Sequence, residues 1–200
     1  MTIDPQRASP QDTYRLLTSC VVPRPIALVS TVSIDGIRNV APFSFFNAVS
    51  AEPPIICFCP SPRQPPKDTL VNVRETREFV VNIVSEAMAE AMNASSAPFP
   101  PDVDEFEMAG FTPVPSEAVT PPRVGESPVS LECRLHLIVE VSDRPFGGTL
   151  VLGEVVRFHV QDRVLRDGRI DADLLGAIAR MGGTDYTRTR DRFSMRRPGA

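Results

Sequence analysis

Within the nine residues SPRQPPKDT (61–69), Ser61, Arg63, Lys67 and Thr69 gather two cations and two hydroxyls. The pattern DTLVNVRET (68–76) that follows predicts a helix, with Asp68 or Thr69 at its N-cap and Leu70 and Val73 facing inward. A helix start presents unpaired backbone N–H groups and the positive end of the dipole, worth about 0.3–1 kcal/mol to an anion at an exposed end. Charge-assisted donors beside such amides suit phosphate oxygens. Asp68 would repel a phosphate, so it is expected to cap the helix or to pair with a cation. The ordinary alternative is a solvated loop ahead of a capped helix.

A second stretch, APFSFFNAVSAEPP (41–54), mixes three rings with a hydroxyl and an amide. Ser44, Asn47 and the backbone at Ala48 can hydrogen-bond the polar edge of a planar ring system. Phe43, Phe45 and Phe46 can supply an apolar wall, although strand alternation prevents all three from facing one way. Taken alone, the stretch also reads as aromatic filling of a small barrel.

Composition excludes other chemistry. Only His136 and His159 are present, each inside an apolar alternating run, so a histidine metal site is not expected. No nucleophile elbow, Walker A loop, GxGxxG or HExxH occurs. Redox or group-transfer chemistry therefore requires a borrowed reactive centre. A net charge of -4 gives no footprint for nucleic acid or an anionic membrane. No apolar run reaches the roughly 18 residues that span a bilayer, and the start carries no signal-peptide pattern. Cys20, Cys57, Cys59 and Cys133 form no CxxC and read as free thiols of a reducing, cytoplasmic setting.

The elements that must position these residues are mostly strands. SPQDTYRLL predicts a helix with Ser9 as N-cap and Pro10 in the first turn, closed by VVPRP (21–25). IALVSTVS (26–33), the Asp35-Gly36 turn and IRNVAPFSFFNAV (37–49) read as a hairpin, followed by a strand at 55–59. After the helix at 68–76 come a strand at 79–84 and a helix at 85–93 capped by Ser85. The proline-rich segment 94–128 holds a short helix ended by Gly110; an excursion this long is often functional. Long strands follow at 129–141 and 149–160, then a helix at 171–181 ended by Gly182-Gly183, and a basic tail. Six or more hairpin-linked strands with short helices predict a mainly β, antiparallel barrel. The length suits one domain over 1–200.

In such a barrel the phosphate-seeking loop and the ring-facing strand lie one strand apart, as the two ends of flavin mononucleotide (FMN) require. At these residues the chain resembles the flavin reductase-like, FMN-binding split-barrel family, which includes flavoredoxin and the reductase components of two-component monooxygenases. The resemblance is carried by residues 14–84, 131–141, 152–160 and 179–198, most specifically by VVPRPIALVST, APFSFF, KDT and RMGGxxY. It implies a split-barrel homodimer with FMN near the subunit interface and the tail 182–200 packing there. The ring would lie against 44–49, with Phe45 in its wall and Thr31 beside it. The phosphate would lie near Ser61, Arg63, Lys67, Asp68 and Thr69. Arg180 and Tyr186 fall in a C-terminal motif that approaches the flavin or a nicotinamide. The implied chemistry is hydride transfer from NAD(P)H to FMN, with a partner monooxygenase or another acceptor protein downstream and no catalytic side chain required. Two other readings stand: a flavoredoxin-like electron-transfer protein, and a non-catalytic barrel that binds a phosphorylated ligand.

Overall fold

The computed structural model describes residues 1–199; Ala200, the last residue of the expected tail, lies outside the described residues. Seven strands form one antiparallel sheet: β1 (Ala27–Val32), β2 (Arg38–Phe43), β3 (Phe46–Ala51), β4 (Pro54–Phe58), β5 (Glu78–Ile83), β6 (Val129–Ser142) and β7 (Gly148–Val160). Their spatial order is β2-β1-β5-β6-β7-β4-β3. Strands β2 and β3 are thus the two outer edges of the sheet, yet only Ser44 and Phe45 separate them in sequence. At about 3.3–3.6 Å per residue, so short a link cannot bridge a flat seven-stranded sheet. The sheet must curl until its edges meet, which makes a barrel split at the Ser44–Phe45 corner. Phe45 O fixes that corner by accepting from Cys59 N at 2.9 Å.

This corner corrects one sequence expectation. Residues 37–49 are two strands, not one return strand: β2 pairs with β1, whereas β3 pairs with β4 across a register shift between Ala48 and Ser50. Phe43 and Phe46 turn toward the barrel interior, and Phe45, 37% exposed, does not.

The interior is built on a chain of rings. Phe43 and Phe58 meet at a tilt of 46° with centroids 5.1 Å apart, and Phe58 meets Phe79 edge-on at 5.3 Å. Gly153 makes room for this chain, because a Cβ there would lie 2.2 Å from Phe79 Cζ. Ala27 and Val29 point into the barrel while Ile26 and Leu28 point outward, as period-2 alternation requires. The outer residues pack under α3 (Ala89–Ala94) and α4 (Glu105–Ala109) with Met92, Phe106 and Phe111. Asn82 joins the layers: its amide donates to Leu28 O and Ser30 Oγ and accepts from Val124 N and Ser130 Oγ.

Other helices differ in detail. Helix α1 (Pro10–Cys20) is capped by Ser9 as expected. Helix α2 (Asp68–Thr76) starts after Lys67, whose extended backbone occupies the N-cap position without a side-chain bond, rather than at Asp68 or Thr69. The segment at 85–93 opens as a 3₁₀ turn, Glu86–Met88, and Ser85 makes no cap bond. The expected helix at 171–181 is only Ala172–Leu175 (α5), stopped by left-handed Gly176. Residues Ile178–Arg180 instead form the middle strand of a small sheet between Arg24–Pro25 and Tyr186–Arg188. A strand partner from the far end of the chain overrides the local helical pattern. Among the described residues no helix is long and apolar enough to cross a membrane, and no cluster of His, Cys, Asp and Glu could hold a metal ion.

Candidate functional site

The split in the barrel opens onto a trough. Three adjoining cavities meet at Pro42, of about 340, 240 and 70 Å³. The largest is walled by Pro42, Phe43, Ser44 and Phe45 on one side and by Cys59, Ser61 and Lys67 on the other. Tyr14 of α1 and Phe146, in the β6–β7 turn, cover it with rings 5.2 Å apart. Phe146 holds a positive φ of 63°, which few non-glycine residues adopt, and so aims its ring at Tyr14.

The smallest cavity lies at the start of α2, between Arg63, Lys67, Asp68 and Thr69 and the Ser95–Ala97 turn. Leu70 N and Val71 N both donate to Lys67 O, so the Asp68 and Thr69 amides have no intrahelical acceptor. Arg63 Nη2 reaches Asp68 Oδ2 at 3.3 Å, while its Nε is buried and has no partner. Asp68 thus pairs with a cation, one of its two expected roles. Lys67 Nζ sits 5.6 Å over the Phe43 ring and forms no ion pair among the described residues. Burial, and then Arg63, lower its pKa, with Glu105 and Asp68 opposing. The orphaned Arg63 N–H, the Lys67 ammonium and the two first-turn amides, set beside the carboxylates of Asp68 and Glu105, form a donor set that suits a phosphate.

The other sequence candidates divide. Ser44 lies in the shared wall of two cavities. Ser61 and Phe45 line the largest one. Thr69 lines the smallest, but the residue is 1% exposed and its hydroxyl donates to Asn39 Oδ1 at 2.8 Å. Thr31 is wholly buried in the same network, donating to Asn39 Oδ1 and accepting from Asn72 Nδ2. These two threonines seat α2 on the β1–β2 hairpin; Thr31, expected beside the ring, lines none of the three cavities, whereas Thr69 borders the small one. Asn47 and Ala48 stand outside these cavity walls on exposed β3, where Asn47 Oδ1 accepts from Ala48 N. Arg180 and Tyr186 line the 240 Å³ cavity together, guanidinium over ring at 4.5 Å.

Sequence reasoning missed Pro42, Tyr14, Cys59, Ser96 and Phe146. It also missed Glu105, which is 6% exposed, borders the donor cavity and accepts from Val40 N at 2.9 Å. Burial pushes its carboxyl up to about 7; Asp68 adds to that shift, and the Val40 amide, Arg63 and Asn39 oppose it. The available signal was an acidic residue, Glu105, at the head of the short turn EFEMAGF, next to the apolar Phe106. Arg188, Arg190 and Arg192 of the basic tail are occupied: the first two by Glu86, the third by Asp173.

Fold and site define a flavin-related oxidoreductase of the split-barrel class. The chain belongs to the flavin reductase-like family, whose domain model matches residues 18–175. Nitrilotriacetate monooxygenase component B from Bacillus cereus superposes with a TM-score of 0.93 at 37% identity, over 98% of both chains. The 2-nitrobenzoate 2-nitroreductase NbaA of Pseudomonas fluorescens gives 0.90 at 33% identity, over 100% of this chain and 97% of its own. Flavoredoxin of Desulfovibrio vulgaris (Miyazaki F) gives 0.77 at 25% identity, over 88% of this chain and 91% of its own.

Proposed function

We propose that the protein is an NAD(P)H-dependent flavin reductase that binds FMN in the trough at the barrel split. The observation that carries this reading is the continuity of the trough. A ring-sized cavity walled by Pro42–Phe45 shares Lys67 with a small cavity at the start of α2, where Arg63 Nε has no partner. When bound, FMN would supply the redox centre, taking a hydride from NAD(P)H and passing electrons onward.

The chain's own residues bind, orient and exclude water. Lys67, Arg63 Nε and the first-turn amides of α2 hold the phosphate, with Ser61 beside them. Pro42 and Phe45 are the apolar wall for the ring, and Ser44 offers a hydroxyl at its edge. Tyr14 and Phe146 cover the cavity and keep water from it. Asp68 holds Arg63 in place. No side chain acts as nucleophile or general base.

We read the chain over 1–200 as one domain that works as a homodimer, with the tail 182–200 at the contact. Support comes from β6, where Leu137, Val139 and Val141 are 51%, 40% and 64% exposed beyond the register shift at Gly153. Exposed apolar side chains at alternate strand positions call for cover. A cytoplasmic setting fits the four free thiols. The likeness to a monooxygenase component supports an oxygenase as acceptor of the reduced flavin; flavoredoxin supports electron transfer to another protein. The test is nicotinamide oxidation by purified protein with added FMN. Turnover with NADH or NADPH is expected. A protein that retains flavin but turns over neither nucleotide would favour the electron-transfer reading instead.

A further inference from the structure

The trough does not end at the ring wall. Past Pro42 and Ser44 it opens into the 240 Å³ chamber, bounded by Tyr14, Asn93, Ser96, Arg180 and Tyr186. Among the described residues no carboxylate lines it. Arg180 gives one Nη2 N–H to Gly183 O at 2.6 Å and forms no ion pair among the described residues. Directly across the strand pair lies Arg24, 6% exposed. Its fork is spent on the carbonyls of Thr18, Val21 and Met181, and its Nε has no partner. Neither arginine forms an ion pair with an acid among the described residues.

Like charges opposed across strands are unfavourable, and an anion beside Arg180, the one of the pair that lines the chamber, would offset that repulsion. The chamber's other features narrow that anion. At about 240 Å³ it falls below the roughly 300–1,000 Å³ of ordinary ligand clefts, which suits a one-ring compound. Two tyrosines offer ring faces, and Ser44, Asn93 and Ser96 offer neutral hydrogen-bonding groups.

We propose that this chamber is a second-ligand subsite for a small aromatic carboxylate, held through its anion by Arg180 and through its ring by the chamber's tyrosines. The proposal rests on the flavin reading, because the shared Pro42–Ser44 wall would set such a ligand beside the flavin. The guanidinium supplies a planar, bidentate donor pair, and its stacking on Tyr186 keeps that plane fixed.

The test is calorimetric titration of the full chain, with and without FMN, using benzoate and its neutral counterpart benzamide. Benzoate is expected to bind at least about tenfold more tightly than benzamide, and Arg180→Gln to weaken benzoate roughly ten- to a hundred-fold, with Arg180→Lys recovering part of the loss. The benzoate–benzamide comparison on the unaltered chain decides the matter even if the variants do not fold. Equal affinity for the two probes, or benzoate binding unchanged in Arg180→Gln, overturns the proposal. Displacement of benzoate by ADP-ribose also overturns it, by assigning the guanidinium to a dinucleotide's phosphates. A separate FMN titration tells the two readings apart: flavin uptake without benzoate binding removes this inference alone, and benzoate binding without flavin uptake removes the flavin reading.

Discussion

Lys67→Met removes the ammonium while keeping an unbranched stem to lie over Phe43. The magnitude follows from the surroundings. Arg63 is already half-committed to Asp68 at 3.3 Å, whereas Lys67 has no carboxylate partner and is partly desolvated. Lys67 should therefore carry the larger share of the phosphate contact. A charge-assisted hydrogen bond is worth about 1.5–3 kcal/mol, so FMN affinity should fall roughly ten- to a hundred-fold. The assay is flavin fluorescence titration with FMN and, in parallel, riboflavin, which has the same ring without the phosphate. Lys67→Met should weaken FMN and leave riboflavin unchanged. Equal losses for both, or no loss for FMN, would refute the assignment of the phosphate to α2. Stability supplies an internal check. The folded-state pKa of Lys67 is lowered from 10.5, so the unfolded chain binds more protons in the window below that value. The charged group thus opposes folding, by an amount that shrinks as pH rises toward 10.5. Lys67→Met without ligand should melt no lower than the parent.

The remaining predictions concern the parts that hold this site. Glu105 has a folded-state pKa of about 7 against an ordinary 4.5, so its contribution is present below pH 4.5 and is lost as pH rises to about 7. Urea unfolding at about pH 5 and about pH 8 should show the parent losing on the order of 3 kcal/mol more than Glu105→Gln across that interval. Equal pH dependence in the two would show that the carboxyl titrates normally. Gly153→Ala drives a methyl into Phe79 and should cost about 1–3 kcal/mol, lowering Tm by roughly 2–4 °C for each kcal/mol. A parent-like melting curve would mean that the ring chain has room to shift. Asn82→Ala should cost about 1–3 kcal/mol for the orphaned Val124 amide alone, read as a lower urea midpoint. Glu132 is fully buried and accepts from Glu117 N, Ala118 N and His159 Nε2, which together outweigh burial and lower its pKa. Its stabilisation is present above the ordinary carboxylate range and lost as pH falls through the lowered value; acid unfolding of Glu132→Gln should lack that component.

How much of this was legible in the sequence depended on whether the cause was local. Alternation in IALVSTV and LECRL marked β1 and the barrel half of β6, and Asp35-Gly36 marked the hairpin, with Gly36 at φ 86°. The gathering of Arg63 and Lys67 at the start of α2 was legible because they lie within a few residues of that helix start. The break at Ser44–Phe45 was not, since nothing at those residues signals a turn; the pairing of β3 with β4 imposes it. The lost helix at 171–181 has the same origin. Leu174, Leu175 and Ile178 carry helical spacing, but Arg180 pairs with Arg24, 156 positions away by number, and Arg24 reaches the Met181 carbonyl. Thr31 and Thr69 have the polarity of ligand-binding residues, and only the packing of α2 on the hairpin shows their hydroxyls turned to Asn39. Tyr14 and Phe146 come together across the trough from segments far apart in the chain, which no window of sequence could pair.

The trough is proposed to hold a single flavin that a nicotinamide reduces in place. The most direct test of that proposal is the visible spectrum of the purified protein reconstituted with FMN, followed anaerobically as NADH or NADPH is added. The account predicts one FMN per chain and bleaching of the flavin band by one of the two nucleotides. Failure to take up FMN, or a bound flavin that neither nucleotide bleaches, would contradict it.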